Sequence, residues 1–311
     1  MTPEGFQLQM PDGRHMHVYR WLPAAEPRAV LLVAHGMAEH GARYARLAAA
    51  LNAAGWAVYA LDWPGHGLSV SSAAELGHFA DRDGWAYALD GLQRVRERVQ
   101  QEQPGKPLLL FGHSMGSFLS QHYIVEHGAG LKGVILCASS GSMGPLRAVG
   151  VLLLRLEAAL LGRGHRSALA EALSFKAFNK KFAPNRSAAD WLSRDSAEVD
   201  KYIADPLCGF RGSATLWADM LSAGASLLDA QRLARIPKEL PVLLISGDHD
   251  AVSMGTQGLE QLVRAYRSAG LKDVELRLYE GARHEILNEV ESCRGQVMAD
   301  VMGWLQRHAA A

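Results

Sequence analysis

Ala29-Val30-Leu31-Leu32-Val33-Ala34 is an unbroken apolar run. A strand with one face in water would alternate, so a run without a polar position belongs to a strand covered on both faces, the signature of a parallel sheet between helices. The next segments fit such a sheet. Residues 43–54 are alanine-rich and helical, Gly55 stands where a C-terminal cap belongs, and residues 56–61 form the next apolar strand. The pattern repeats with a helical stretch at 81–103 closed by Pro104-Gly105, a strand at 108–111, a helix at 115–127 followed by Gly128, and a strand at 134–137. After an interruption it resumes as strand 241–245, helix 256–269, strand 274–279 and helix 293–308. Strands and helices in turn, with short connections, predict an α/β core around a mostly parallel sheet. At the front, alternation over 6–10 and 17–21 around Asp12-Gly13 predicts an antiparallel hairpin.

The interruption begins near Ser139. Residues 141–235 hold helical stretches but no convincing buried strand, and Pro184 and Pro206 mark irregular breaks. The expected organisation is therefore a core made of residues 1–140 and 236–311, with a helical cap inserted at 141–235.

Charge excludes one large class of partner. Lys+Arg and Asp+Glu both total 32, leaving no formal net charge, whereas nucleic-acid binding needs a basic excess. No stretch approaches the ~20 apolar residues that span a bilayer; the nearest, 148–161, is short and carries Arg155 and Glu157. The segment Met1-Thr2-Pro3-Glu4-Gly5-Phe6 lacks the features of a secretory leader, and a cytoplasmic protein is expected. Cys137, Cys208 and Cys293 are odd in number and widely spaced. They read as small buried hydrophobes, with neither a disulfide framework nor a metal pattern among them.

Gly112-His113-Ser114-Met115-Gly116 fits G-x-S-x-G. The pattern is weak alone but here lies between a buried strand and a helix. A turn that tight needs glycines beside the serine, lifts its hydroxyl clear of the sheet edge and points the next backbone N–H from a helix N-terminus. A serine hydroxyl attacks only when a base takes its proton and an acid fixes that base in one tautomer. Both partners should follow later strands. Ser246-Gly247-Asp248-His249-Asp250 follows one, and Glu280-Gly281-Ala282-Arg283-His284 follows the last. His284 is preferred as base over His249, which sits between two acid candidates. Asp250 is preferred over Asp248, which lies nearer the strand end and is suited to bracing the turn. Serine, acid, histidine is the α/β-hydrolase order. Two N–H groups are needed for an oxyanion: Met115, just after the serine, and Met37, in the loop His35-Gly36-Met37-Ala38-Glu39-His40.

That loop with Arg43-Tyr44, the turn Asp62-Trp63-Pro64-Gly65-His66-Gly67-Leu68-Ser69, the serine elbow, Gly247-Asp248-His249-Asp250 and Tyr279-Glu280-Gly281-Ala282-Arg283-His284-Glu285 together resemble the monoacylglycerol lipase and lysophospholipase group of serine α/β-hydrolases. The resemblance spans the core in order. It implies an eight-stranded sheet with a helical cap after the sixth strand, Ser114 as nucleophile, Asp250 as acid, His284 as base, and Met37 and Met115 as oxyanion donors, with no cofactor and no metal. Asp62 and His66 are expected only to brace their turn. The cap segments 191–195 and 205–210 are similar to bacterial lysophospholipase-like members. The expected substrate is a carboxylic ester with one acyl chain; a C–C hydrolase, aminopeptidase, thioesterase or short-chain esterase would use the same three groups, and a non-catalytic binding protein would usually have lost one. Residues 146–161 are almost wholly apolar, with Arg147, Arg155, Arg163 and Arg166 nearby. Either this helix lines an acyl pocket and touches anionic lipid with its basic rim, or it packs on the core with snorkelling arginines.

Overall fold

The structure is a computed structural model and describes residues 4–254 and 256–310; Met1 to Pro3 of the segment read for a leader, Gly255 and Ala311 lie outside the described residues. The turn at Asp12-Gly13 folds β1 (Glu4–Gln9) onto β2 (His15–Trp21) as an antiparallel hairpin, Phe6 opposite Val18. Then come β3 (Ala29–Ala34), α1 (Ala45–Ala53), β4 (Trp56–Leu61), α2 (Gly84–Glu102), β5 (Leu108–His113), α3 (Met115–His127) and β6 (Gly133–Cys137). Six helices follow without a strand among the described residues: α4 (Arg147–Leu161), α5 (Ala168–Leu173), α6 (Phe175–Lys180), α7 (Ser196–Ala204), α8 (Ala214–Ala223) and α9 (Ala230–Leu233). The core closes with β7 (Val242–Gly247), α10 (Gln257–Ser268), β8 (Val274–Tyr279) and α11 (Glu291–Ala309).

The eight strands form one sheet in the order β1-β2-β4-β3-β5-β6-β7-β8. Only β2 runs against its neighbours, pairing antiparallel with both β1 and β4; β3 to β8 are parallel. Each residue of β3 is buried, and alternation splits its side chains between two layers. Val30 and Leu32 pack with Leu92 of α2 and Leu119 of α3, whereas Leu31 and Val33 pack with Leu47 of α1 and Trp304 of α11. At ~1.5–3 kcal/mol for each large apolar side chain removed from water, this double covering is why the apolar run is a central strand and not a helix.

α2 begins three residues after the helical stretch expected from sequence. Asp83 takes a left-handed conformation (φ 51°), and the Gly84 N–H is capped from elsewhere, by the Asp219 carboxylate at 3.1 Å. The segment between β6 and β7 has a small core of its own around Trp191, Leu192, Val199 and Tyr202. It is tied to the rest by backbone hydrogen bonds from Gly209 to Ala38 (3.0 Å) and from Ser213 to Gly77 (2.7 Å). Among the described residues no helix is long and apolar enough to cross a membrane.

Candidate active site

Ser114 sits between the last residue of β5 and the first of α3, with φ 50° and ψ −118°. A non-glycine residue held there costs ~1–3 kcal/mol, and the surroundings impose it. The Ser114 N–H donates to Cys137 O at 2.9 Å. Two residues on, Gly116 approaches β3 so closely that a Cβ would stand 2.1 Å from Ala34 O and 2.4 Å from His35 O. The serine is left partly exposed at the C-terminal ends of the strands.

The loops after β7 and β8 are laced together by backbone hydrogen bonds, Asp248 N–H to Tyr279 O (3.2 Å) and His249 N–H to Ala282 O (3.1 Å). Gly247 permits the approach, since a Cβ there would lie 2.0 Å from Ala282 O. The lacing brings Asp250 Oδ1 to 2.9 Å from His284 Nδ1. Asp250 also accepts from the Val252 N–H (2.9 Å) and the Ser246 hydroxyl (3.1 Å), so its carboxylate is buried but well supplied with donors. Burial pushes the Asp250 carboxyl up, but the His284 charge and hydrogen bond with the other donors outweigh it, leaving the group below its ordinary value. For His284 burial pushes down, while the Asp250 charge and hydrogen bond push up and prevail. Because a carboxylate only accepts, the neutral imidazole carries its proton at Nδ1 and keeps a lone pair at Nε2. Asp248 does not reach His284, and one of its carboxylate oxygens is buried without a hydrogen bond; His249 is exposed.

The His284 ring is held between His113 (centroids 4.9 Å) and Trp191 (4.8 Å). His113 precedes Ser114 directly, so imidazole and hydroxyl share one rim. No hydrogen bond joins the two in this structure, a common state before substrate binds. Among the described residues no other protein group takes the Ser114 hydroxyl or His284 Nε2.

On the other side of the serine, a Cβ on Gly36 would lie 3.2 Å from Ser114 Cβ, so the loop after β3 runs alongside it. Buried His35 fixes this loop: its Nδ1 pairs with Gly36 O (2.7 Å), and its Nε2 accepts from the Trp63 N–H (3.1 Å). Burial lowers its pKa to about 3, so it is a neutral brace. Glu39 accepts from the Gly36 N–H (2.5 Å), Tyr44 (3.1 Å) and Arg43 (2.8 Å). Asp62 accepts from the backbone N–H of Gly41 and Leu68, each at 2.7 Å, as a bracing residue should. Met37 and Met115 line the same cavity as Ser114. Among the described residues neither of their N–H groups has a protein acceptor, which for Met115 follows from its place in the first turn of α3.

That cavity measures about 260 Å³ and is lined by Leu153, Leu154, Leu173, Phe178 and Trp217, among others, with no charged side chain among the described residues. α4 supplies part of the wall and turns the remainder of its apolar surface outward, with Leu152, Leu156 and Leu160 between 54% and 73% exposed. The arginines around it are engaged elsewhere. Arg147 donates to Leu221 O (3.1 Å), Arg155 to Ser222 Oγ (3.3 Å), Arg163 to Asp81 O (2.8 Å) and Arg166 to Ala74 O (2.5 Å). These bonds hold the segment to its surroundings and, since every acceptor is neutral, leave the charge of the exposed Arg155 and Arg163 in place.

Comparison with known proteins agrees with this arrangement. The family model described as serine aminopeptidase, S33, matches residues 25–291. The chain belongs to the S33 serine aminopeptidase family. This S33 chain is 30% identical to a monoacylglycerol lipase of Mycolicibacterium smegmatis, over 93% of this chain and 91% of that one. It is 29% identical to the mouse monoglyceride lipase, over 96% of this chain and 89% of the other. Among solved structures, a thermostable carboxyl esterase from Bacillus coagulans, crystallised with glycerol, superposes with a TM-score of 0.89 at 25% identity, covering 99% of both chains. The S33 chain is a serine hydrolase with the α/β-hydrolase fold.

Three features of the site are not foreseen from the sequence. Trp191 packs on His284 from 93 positions away, which no local pattern signals. Ser246 donates to Asp250 from the end of β7 itself. Arg43 bridges two carboxylates, donating to Glu39 and, through both terminal nitrogens, to Glu285 (2.7 and 2.6 Å). A signal for the bridge did exist: Glu39, Arg43 and Glu285 all lie in the motifs that carry the family resemblance, close to residues with an expected role. Cys137 and Cys208 are buried as expected, but Cys293 is only half-buried.

Proposed function

We propose that this protein hydrolyses carboxylic esters of a single acyl chain, with monoacylglycerols as the favoured substrates, through an acyl-enzyme on Ser114. The observation that carries the reading is the buried Asp250–His284 pair on the same rim as the Ser114 elbow, at an apolar cavity. His284 Nε2 takes the hydroxyl proton as Ser114 Oγ bonds to the ester carbonyl carbon. The backbone N–H groups of Met37 and Met115 receive the developing oxyanion; each such donor is worth ~2.7–4 kcal/mol. The C–O bond then breaks, the alcohol leaves with the proton from His284, and an ester to Ser114 remains. Water repeats the sequence, giving its proton to His284 while its oxygen attacks; breaking the acyl–serine bond returns that proton to Ser114 and frees the acid. Asp250 keeps the tautomer and stabilises the imidazolium without itself being protonated.

The neutral cavity lining suits a glyceryl ester, and the relatives named as monoacylglycerol and monoglyceride lipases support it. A hydrolysis panel of monoacylglycerols, lysophospholipids and short-chain aryl esters, with Ser114→Ala as blank, tests it. The greatest kcat/KM should fall on a monoacylglycerol; a lysophospholipid or a short aryl ester in that place would refute the assignment.

The reading includes a division of labour between a core of residues 1–140 and 236–311 and a cap of residues 141–235. The cap forms the acyl cavity and meets lipid with the exposed leucines of α4. That contact uses the apolar area of these leucines, with the exposed Arg155 and Arg163 beside it. Co-sedimentation with phosphatidylcholine vesicles should therefore fall when Leu152 and Leu156 are both changed to Asp. Unchanged co-sedimentation of that double variant would contradict it.

A further inference from the structure

His40 closes the loop that holds Met37, and Asp205 and Cys208 lie in the turn after α7. One donor atom from each, a ring nitrogen, a carboxylate oxygen and the sulfur, fall within 4.8 Å of one another. In sequence Asp205 and Cys208 stand 165 and 168 positions after His40, which is why the cysteine spacing alone gave no metal pattern. Local structure sets the pair on the cap side: the Cys208 N–H donates to Asp205 O (3.0 Å), and the Leu207 N–H donates to Asp205 Oδ1 (2.9 Å), so the turn presents carboxylate and thiol together. The other carboxylate oxygen meets His40 Nε2 at 2.9 Å.

We infer that His40, Asp205 and Cys208 form a binding site for a borderline-soft divalent cation of the zinc class. Four observations support it. The donor set of one imidazole, one carboxylate and one thiolate is what such ions take, with bonds of ~2.0–2.3 Å that place tetrahedral ligands about 3.5 Å apart. The donors present lie within 4.8 Å of one another, so side-chain rotation around an ion would bring them to that spacing. His40 is 7% exposed and its Nε2 faces the Asp205 carboxylate at 2.9 Å, so the ring is buried and held in place beside the other donors. Two anionic ligands and one neutral one balance a 2+ ion, and nearby Arg43 is offset by Glu39 and Glu285. Finally, the Asp205 carboxylate is about 30% exposed, which leaves an approach for the ion and a place for a water as fourth ligand.

Binding replaces the S–H bond of Cys208 with a sulfur–metal bond and releases one proton to solvent; no oxidation occurs. The ion would staple the cap turn to the loop after β3, beside the existing hydrogen bond from Gly209 to Ala38. This inference is independent of which ester is hydrolysed.

The test uses the full-length protein, stripped with a chelator and exchanged into chelator-free buffer. Titration with Zn²⁺ followed by calorimetry should show one equivalent bound with proton release, and the melting temperature should rise. Co²⁺ as probe should give a thiolate-to-cobalt charge-transfer band. Cys208→Ser should abolish the band, and both Cys208→Ser and Asp205→Asn should weaken Zn²⁺ binding at least tenfold, while ester hydrolysis in the presence of chelator stays at the wild-type level. No charge-transfer band in the wild type, a reading that needs no variant, would overturn the inference. So would equal Zn²⁺ affinity in wild type and Asp205→Asn, which would put the ion on other histidines.

Discussion

Arg43 grips Glu285 through two hydrogen bonds of 2.7 and 2.6 Å, one from each terminal nitrogen, and so binds the loop after β3 to the residue next to His284. The same guanidinium holds Glu39, which in turn accepts from the Gly36 N–H beside Met37. A single cation thus ties the loop of Met37, one proposed oxyanion donor, to the residue beside the proposed base, although it touches neither. Lysine keeps the charge but cannot make the fork. Arg43→Lys should lower kcat by roughly tenfold to a hundredfold, the scale of an ångström's misplacement, with a smaller effect on KM. Arg43→Ala strands two buried carboxylates and should cost about 3–5 kcal/mol in urea unfolding. A lysine variant with unchanged kcat would show that the bridge does not position the site.

The bridge also predicts acid behaviour. Burial pushes Glu285 up, but Arg43 overrides it and holds the carboxyl at about 2, against an ordinary value of 4.5. A group depressed in the folded state contributes stability above its unfolded pKa and loses it as pH falls toward the folded one. Part of the stability should therefore disappear between pH 4.5 and 2, and Glu285→Gln should flatten that slope. Urea midpoints measured through this window check it.

The pH–rate profile should report His284. A base must be unprotonated, and Asp250 holds the imidazole above its ordinary value near 6.5. The acid limb of kcat/KM should accordingly have its midpoint above 6.5. Asp250→Asn removes the charge while burial remains, so the limb should move to lower pH as the rate falls by about 10⁴. Asp248→Asn should leave both limb and rate within a few-fold of wild type. The reverse pattern would give the acid's role to Asp248.

Most of the core was legible because β3 to β7 are buried on both faces, which leaves an apolar run for each, and because turn glycines punctuate them. The placement of Ser114, Asp250 and His284 at one edge of the sheet was legible because a strand end is a place: a residue a few positions past it lies on that edge. Helix beginnings were less so. α2 starts at Gly84 because the distant Asp219 caps it, and nothing near residue 84 records that. The lacing of the loops after β7 and β8, the Trp191 contact and the Arg43 bridge are tertiary, and periodicity carries no information about them. The arginines around α4 read from sequence as a rim for lipid or as snorkelling; in the structure each also donates to a carbonyl or a hydroxyl, a contact that charge counting does not reveal.

Gly116 should resist substitution for a reason separate from chemistry. A methyl group there would sit 2.1 Å from Ala34 O, and that oxygen and the Gly116 Cα both belong to backbone packed in the core, so neither yields. Gly116→Ala should destabilise the protein by about 1–3 kcal/mol or more, visible in thermal melts even when Ser114 is already alanine. An unchanged melting temperature in that background would contradict the packing.

The cavity sets a chain-length rule. Each methylene buried is worth ~0.8 kcal/mol, so kcat/KM should rise about three- to fourfold per added carbon until the 260 Å³ is filled, then level off. Leu154→Trp, which puts bulk into the wall, should bring the plateau to shorter chains. A profile flat from C2 to C16 would mean the acyl chain does not enter this cavity.

The most direct test of the central claim is rapid-quench mass spectrometry of the protein turning over a monoacylglycerol. The account predicts a transient mass increase equal to one acyl group, on the peptide containing Ser114, absent from Ser114→Ala and prolonged when His284 is replaced and acylation is forced with an activated ester. An acyl group on any other residue, or steady turnover by Ser114→Ala, would contradict it.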